Sequence, residues 1–333
     1  MIKDKVLVVG GAGYIGSHMA KYLASRDFAP VVLDNLSTGH AESARFGQLV
    51  VGDLGDQALI DQLFAEHEFV AVMHFAAASL VGESIEHPAK YYRNNVSNTL
   101  NLLDAMVKHG VKDFIFSSTA AIFGEPHYTP IDEAHPKHPI NPYGASKLMI
   151  ERILEDYAVA YGLNSVSLRY FNACGADPEG DLGELHDPET HLLPLVLQAA
   201  SGRSECIKIF GSDYPTPDGT CVRDYIHIVD LCQAHHKALE KLLDKSLSGA
   251  QVFNLGNGNG FSVREVIETA SAVVSKDGKS ITVDQAERRP GDPAILLADA
   301  KAATDVLNWQ PDYANLTEMV EHAWTWEKSL TSL

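Results

Sequence analysis

The stretch NPYGASK, residues 141–147, places a tyrosine and a lysine four positions apart directly behind an Asn-Pro pair. Asn141 is a good N-cap and Pro142 suits the first helical position, so the spacing predicts a helix that begins here. Tyr143 and Lys147 then lie one turn apart on the same face. A free phenol, with a pKa of about 10, is a weak base near neutrality. A cationic lysine and a helix N-terminus beside it favour the phenolate. The chemistry open to such a pair is removal of a proton from a hydroxyl group. Taken alone, the same two residues also suit the polar face of an ordinary surface helix. A further hydroxyl lies in FIFSSTAAIFG (114–124). Thr119 there follows a strand-like run and could share the proton, or simply satisfy a local backbone group.

Oxidising an alcohol also needs a hydride acceptor, and the N-terminal segment offers a place for one. In VLVVGGAGYIGSH, Gly10, Gly13 and Gly16 stand three apart, and Gly11, Gly13 and Gly16 also satisfy the dinucleotide fingerprint. Missing side chains allow a tight turn, close approach of backbone N–H groups to a pyrophosphate, and tight helix–sheet packing. The helix that follows presents its positive end to the phosphates. VVLDN ends the next strand with Asp34, eighteen residues after Gly16. A carboxylate there can accept both ribose hydroxyls of an adenosine and repels a 2′-phosphate, so NAD is expected over NADP. Asp34 as a strand-end turn residue is the plainer reading. Asp53, after the third strand, is a further candidate for the adenine side.

These residues need a scaffold of a particular kind. KVLVVGG, PVVLD, QLVVGD, VAVMHFA, DFIFSS and SVSLRYF are short and apolar almost throughout, as strands buried on both faces of a parallel sheet are. Helical stretches lie between them, one from about Asn95 to His109 stopped by Gly110, another from about Pro142 to Tyr161 stopped by Gly162. Such alternation implies an α/β, doubly wound parallel sheet. It breaks at 172–194, rich in Gly, Pro, Asp and Glu, which reads as a domain boundary or a long functional loop. Mixed elements follow, ending in a helix around Leu316–Lys328. NLGNGNGFSVREV (254–266) could be a second phosphate loop, but reads better as a glycine turn and a helix with a Ser262/Glu265 capping box.

The 333 residues are 45% hydrophobic and 21% charged, ordinary for a folded chain. A net charge of −18, from 26 basic and 44 acidic residues without a basic run, argues against nucleic-acid binding. An anionic ligand would need individually placed arginines. The cysteines at 174, 206, 221 and 232 form no paired or metal pattern and suit a reducing compartment; no residue is assigned to a metal. With no apolar run of membrane length, and with MIKDK leading straight into a strand, a soluble cytoplasmic protein is expected.

The motifs resemble those of the extended short-chain dehydrogenase/reductases, and among them the UDP-sugar 4-epimerases. GGAGYIGSH, LDNLSTG, HFAA…VGES, YYRNNV, FSSTAAIFGE, NPYGASKLMIE, RYFNACGA, IFGSDYPTPDGTCVRDYIH and RRPGDPA occur in family order from Val6 to about Trp309. The resemblance implies a Rossmann domain over 1–173, to which some later segments return, and a smaller mixed α/β domain over 174–333 that mainly holds a UDP-sugar. It makes Thr119, Tyr143 and Lys147 catalytic. It places Gly10, Gly13, Tyr14, Ile15, Gly16, Asp34, Asn35, Ser37, Thr38, Gly39, Asp53 and Leu54 against NAD, with Phe75, Ala76, Ser79, Asn94, Ser117 and Phe171 toward its other end. Contacts to the UDP-sugar fall on Asn172, His191, Leu192, Lys208, Phe210, Arg223, Arg289, Asp292 and Leu296.

The activity implied is reversible 4-epimerisation of UDP-glucose and UDP-galactose through a 4-keto sugar by a homodimer, chemistry that galactose metabolism and polysaccharide precursor supply both need. The 4,6-dehydratases carry an acidic pair after the threonine and the UDP-glucuronate decarboxylases a glutamate two residues on. Here Ala120 and Ala121 stand instead, and alanine cannot drive elimination. Ser79 replaces a lysine, His191 an asparagine and Phe123 a tyrosine found in other members. Leu296, at the family's sugar gate, is intermediate in size, so N-acetylated UDP-hexosamines or UDP-pentoses stay open as substrates. A dehydrogenase that releases NADH and a noncatalytic nucleotide sensor are the readings from other classes.

Overall fold

The six apolar runs become β1 (Asp4–Val9), β2 (Phe28–Asp34), β3 (Gln48–Val51), β4 (Phe69–His74), β5 (Asp113–Thr119) and β6 (Asn164–Tyr170). The computed structural model describes residues 3–289 and 291–331; Pro290 of the RRPGDPA motif lies outside them. A seventh strand, Ala250–Leu255, pairs beside β6 where the chain returns late. Across the sheet the order is Ala250–Leu255, β6, β5, β4, β1, β2, β3, and every neighbouring pair is parallel. The winding reverses between β1 and β4, and in such sheets ligands bind beyond the C-terminal strand ends at that point.

Successive strand side chains point to opposite faces, so β1 feeds two cores. Val6 and Val8 pack with Met19 and Leu23 of the first helix (Tyr14–Ser25) and Leu231 of the helix Ile228–Leu243. Leu7 and Val9 pack with Ile60, Met106 and Ile150 from the helices Gln57–Glu66, Asn98–His109 and Pro142–Tyr161. A third core joins the helices Leu192–Ser201, Val263–Ser275 and Leu316–Thr331 through Val196, Ile267 and Met319. Ser262 and Glu265 make the expected capping box, with both reciprocal bonds present. The glycines before it are therefore a turn. No described helix is long and apolar enough to cross a membrane.

Gly110 and Gly162 end their helices in left-handed conformations, at φ +76 and +65. The start near Asn95 differs from expectation. A short helix Pro88–Tyr91 runs into a π turn over Tyr92–Ser97 before the regular helix Asn98–His109 begins. Within that wide turn the Asn95 side chain accepts from Ala78 N–H at 2.8 Å and donates to Ala78 O and Ser146 Oγ, each at 3.0 Å. One buried amide thus fastens the loop after β4 to the helix that carries Tyr143. Apolar periodicity carries no trace of such an inserted residue.

Beneath the ends of β5 and β6, Arg169 donates to the two oxygens of Glu151 at 2.9 and 2.6 Å, and Ser118 Oγ donates to the same carboxylate at 2.6 Å. The paired side chains are only 2% and 5% exposed. Losing one partner leaves a buried, uncompensated charge. Arg169→Met is expected to lower urea-unfolding stability by about 3–5 kcal/mol, and adding Glu151→Leu to recover most of that loss. A single-variant cost below about 1 kcal/mol, the range of an exposed pair, would contradict this assignment.

Candidate active site

The turn after β1 is built from glycines that have no room for anything larger. Gly10 has φ +78, and a Cβ on it would lie 2.5 Å from Ala76 N; one on Gly16 would lie 2.2 Å from Gly10 O. Gly13, the N-cap of the first helix, is different. A Cβ there would meet only Gly10 O, at 3.5 Å, and no side chain caps the helix. The first-turn N–H groups of Tyr14, Ile15 and Gly16 therefore form an end suited to an anion. At the end of β2, Asp34 accepts from Ala12 N–H at 2.9 Å and Leu36 N–H at 2.8 Å. One lone pair on each oxygen remains for a ribose.

The loop beyond Asp34 is internally braced. Asn35 donates to Asp53 at 2.6 Å, Gly55 N–H donates to the other Asp53 oxygen at 2.7 Å, and Ser37 N–H donates to Asn35 Oδ1 at 3.0 Å. Thr38 leads to Gly39, where a Cβ would press on Ala12 at 2.9 Å. Leu54 is buried beside Asp53. These residues fit an adenine dinucleotide, with acceptors at the ribose end and free N–H donors at the pyrophosphate end. Phe75 and Ala76 continue from β4, both N–H groups donating to Val9 O. Ser79 is exposed in the same loop. Asn94 donates to the Asn95 amide at 3.0 Å.

The second cluster gathers at the end of β5. Asn141 Oδ1 accepts from Gly144 N–H at 2.8 Å, the predicted cap. A Cβ on Gly144 would lie 2.4 Å from Ala121 O, so only glycine lets the helix start press against the turn after Thr119. That contact sets Tyr143 beside Thr119. Thr119 Oγ1 accepts from Ala121 N–H at 3.1 Å, which leaves its own O–H for the phenol, whose ionisation it favours. Lys147 Nζ donates to Ser117 O at 2.8 Å and lies 6.0 Å from the Tyr143 ring centroid. Ser117 Oγ meets the Tyr170 hydroxyl. Ala120, Phe171 and Leu296 pack together on Ile122, Phe123 and Ile131.

The later half carries the cationic groups expected to hold a UDP-sugar. Arg223, on the strand Val222–His227, pairs with Asp292 and lies opposite Leu296 in register. Asn172 lies opposite Tyr225 on that strand and donates to Asp224 O at 3.0 Å. The Arg289 guanidinium lies 4.0 Å over the Phe210 ring. Lys208 shares the exposed face of that short strand, Ile207–Phe210. His191 stands at the N-cap position of the helix Leu192–Ser201 without a side-chain cap bond, its ring engaged by Glu184.

A family profile described as GDP-mannose 4,6 dehydratase matches residues 7–323. The UDP-glucose 4-epimerase of Halalkalibacterium halodurans is 51% identical over 323 residues, 97% of this chain and 95% of that one. The crystal structure of UDP-glucose 4-epimerase from Brucella ovis in complex with NAD superposes with a TM-score of 0.93 at 50% identity, over 96% of this chain and 97% of that one. The chain belongs to the UDP-glucose 4-epimerase family. A further member, from Bifidobacterium longum in complex with NAD+ and UDP, has a TM-score of 0.91 at 38% identity, over 98% of each chain.

The protein's own groups alone do not make the phenol acidic. Burial pushes the Tyr143 phenol up, and the Thr119 hydrogen bond only partly opposes it. Burial also lowers the Lys147 ammonium to about 7, with Glu151 pulling the other way. The sequence reading also missed Asn95, Gly144, Glu151 and Arg169, which position this cluster. The tight NPYG spacing hinted at Gly144; the other three became visible only through contacts between distant segments.

A folded-state pKa of about 7, against an ordinary value of 10.5, means the unfolded chain holds the extra proton between those two values. The penalty for burying the charged amine is complete at and below pH 7 and shrinks as pH rises toward 10.5. In the nucleotide-free protein, Lys147→Met is therefore expected to raise the melting temperature more at pH 6 than at pH 9. An equal gain at both would show that the amine is not desolvated as described.

Proposed function

We propose that this chain interconverts UDP-glucose and UDP-galactose by oxidising and re-reducing the sugar at C4, with NAD bound throughout. The observation that carries the reading is the buried Tyr143 phenol beside Thr119, with Lys147 one turn away and alanine at both positions after Thr119. Identity near one half with UDP-glucose 4-epimerases over almost the whole chain supports the same substrate pair. Residues 1–173 hold the dinucleotide in this reading and 174–333 mainly the UDP-sugar. The glycine turn and first-turn N–H groups take the pyrophosphate and Asp34 the adenosine ribose, with Asn35, Ser37, Thr38, Gly39, Asp53 and Leu54 around the adenine. Phe75, Ala76, Ser79, Asn94, Ser117 and Phe171 line the other end.

Bound NAD would supply the acceptor and later the donor of the C4 hydride, and its oxidised ring a positive charge beside the phenol. Tyr143 Oη takes the proton from the sugar 4-hydroxyl and returns it to the same oxygen at the end. The Thr119 O–H, donated to Oη, stabilises the phenolate in between. Lys147, anchored on Ser117 O, reaches for a ribose hydroxyl and adds a second positive charge when protonated. Arg223 and Arg289 grip the diphosphate, as fork-shaped guanidinium groups do even on an acidic protein. Asn172, His191, Leu192, Lys208, Phe210 and Asp292 complete the uridine diphosphate cradle. Leu296 faces the sugar, which must turn about its tether to offer C4 from either side. Ala120 and Ala121 offer no acid or base for elimination, so the oxidised sugar has only re-reduction open to it.

Tyr143→Phe removes the proton acceptor without changing the packed ring. Turnover of UDP-galactose is expected to fall by roughly 10²–10⁴-fold with an unchanged melting temperature. Near-normal turnover would overturn the assignment of the base.

The reading extends to a cytoplasmic homodimer. All four cysteines are free thiols, which suits a reducing compartment. The helices Asn98–His109 and Pro142–Tyr161 lie on one face of the sheet, joined by Tyr157 Oη donating to Asp104 at 2.6 Å. They leave Met149 and Val159 exposed at 45% and 91%. Two copies meeting there would form a four-helix bundle. Sedimentation at micromolar concentration is expected to give the dimer mass, and a monomer would refute the assembly.

A further inference from the structure

The proposed reaction leaves most of one polar segment unused. In ELHDPETH (184–191), Glu184, His186, Glu189 and His191 turn toward a single point, each offering one donor atom, and these atoms all lie within 4.8 Å of one another. Glu184 Oε1 lies 3.1 Å from His186 Nδ1 and bonds His191 Nδ1 as well. Glu189 Oε1 lies 3.8 Å from each of the two Nδ1 atoms. A tetrahedral ion with bonds near 2.0–2.1 Å holds its ligand atoms roughly 3.4 Å apart, between the 3.1 and 3.8 Å separations; Glu184 and His191, now bonded directly, must part to admit it.

Burial and charge point the same way. The two carboxylates are 4% and 5% exposed, while the imidazoles face outward at 32% and 57%. Buried carboxylates are kept by pairing or by a metal. With neutral imidazoles the four groups carry a charge of −2, which one divalent cation cancels. Two imidazole protons would cancel it too, and these alternatives can be separated by experiment. Two nitrogen and two carboxylate donors suit zinc better than calcium or magnesium, which take all-oxygen shells. We propose that Glu184, His186, Glu189 and His191 form a tetrahedral site for a zinc-class divalent ion.

The surroundings hold the ligands in place. Trp326 Nε1 donates to the Glu184 carbonyl at 3.0 Å, and Glu189 accepts from the N–H groups of Thr190 and His191 at 2.7 and 2.9 Å. The Tyr14 ring stands edge-on to His186 at 6.3 Å. An ion here ties the segment between the two halves to the start of the first helix and to the last one. The nearby acidic group Asp177, Glu179 and Asp181 is different. Lys21 Nζ reaches all three carboxylates at 2.6–2.8 Å and already supplies their cation.

The test uses the intact chain, stripped with a chelator and then offered Zn²⁺ or Co²⁺. Elemental analysis after gel filtration is expected to find one retained zinc per chain, and Co²⁺ to give the intense visible absorption of tetrahedral coordination. His186→Ala and Glu189→Gln should each lose both signals, while His87→Ala, at an exposed histidine elsewhere, keeps them. The Co²⁺ spectrum of the unaltered chain needs no variant to fold. Weak six-coordinate absorption from it, no retained zinc, or zinc retained equally by all three variants would each overturn the site. None of these readouts depends on epimerase turnover.

Discussion

A buried amine is the constraint around which the rest of the site is arranged. Helical spacing carries Lys147 inward from Tyr143, into a place with little water. There it has the Ser117 carbonyl at 2.8 Å, the Phe116 ring face at 4.8 Å and the field of Glu151. Tyr143, Lys147 and Glu151 thus form one stripe along a single helix, phenol, amine and carboxylate in steps of four. Arg169 and Ser118 already engage Glu151, so its carboxylate offsets the desolvation of Lys147 only in part. A free carboxylate would hold the amine firmly charged, and a missing one would let it drop further. The ion pair beneath β5 and β6 therefore belongs to the electrostatics of the site as much as to the core.

The same strand ends bring the glycine turn and the Tyr143 cluster to one edge of the sheet. Thr119 closes β5 and Asp34 closes β2, on either side of the point where the winding reverses. Gly10 and Gly16 let the first helix come close enough to aim its N–H groups into the gap. Gly144 does the equivalent for the helix that carries Tyr143. In each case a backbone contact that no larger residue permits brings a helix N-terminus to the edge of the cleft.

Much of this was legible in the sequence, because it rests on local rules. The six strands, the Asn141 cap, the glycine stops at 110 and 162 and the Ser262/Glu265 box follow from patterns within a few residues. Lys147 and Tyr143 were found the same way, but their protonation energetics were not. Desolvation depends on what packs around a group, and the sequence shows only which charges stand near it along the chain. The π turn was hidden for the same reason, since its benefit is a bond from Asn95 to residues 78 and 146. The ELHDPETH segment repeats Glu-x-His twice, a spacing that matches no familiar ligand motif. Its convergence appears only when the loop is folded.

The cleft itself is a joint between distant pieces, and its stiffness bears on the chemistry. Ile131 N–H donates to Leu297 O at 2.8 Å, Asp299 N–H donates to Ile131 O at 2.9 Å, and Asn254 Nδ2 donates to the same carbonyl at 2.8 Å. Tyr14 Oη crosses from the first helix to Gly175 O at 2.8 Å. These bonds fix the loop after Thr119 and the start of the first helix to the later half of the chain. Leu296 and Arg223 sit opposite one another in a strand pair, so the residues proposed as sugar wall and diphosphate grip move as one piece. If a sugar is to offer both faces to a single phenol, the motion has to lie in the sugar, because tether and base are each locked to the same frame. Such a frame suits the proposed reaction, which begins and ends at one carbon and needs one oxygen kept within reach of one phenol.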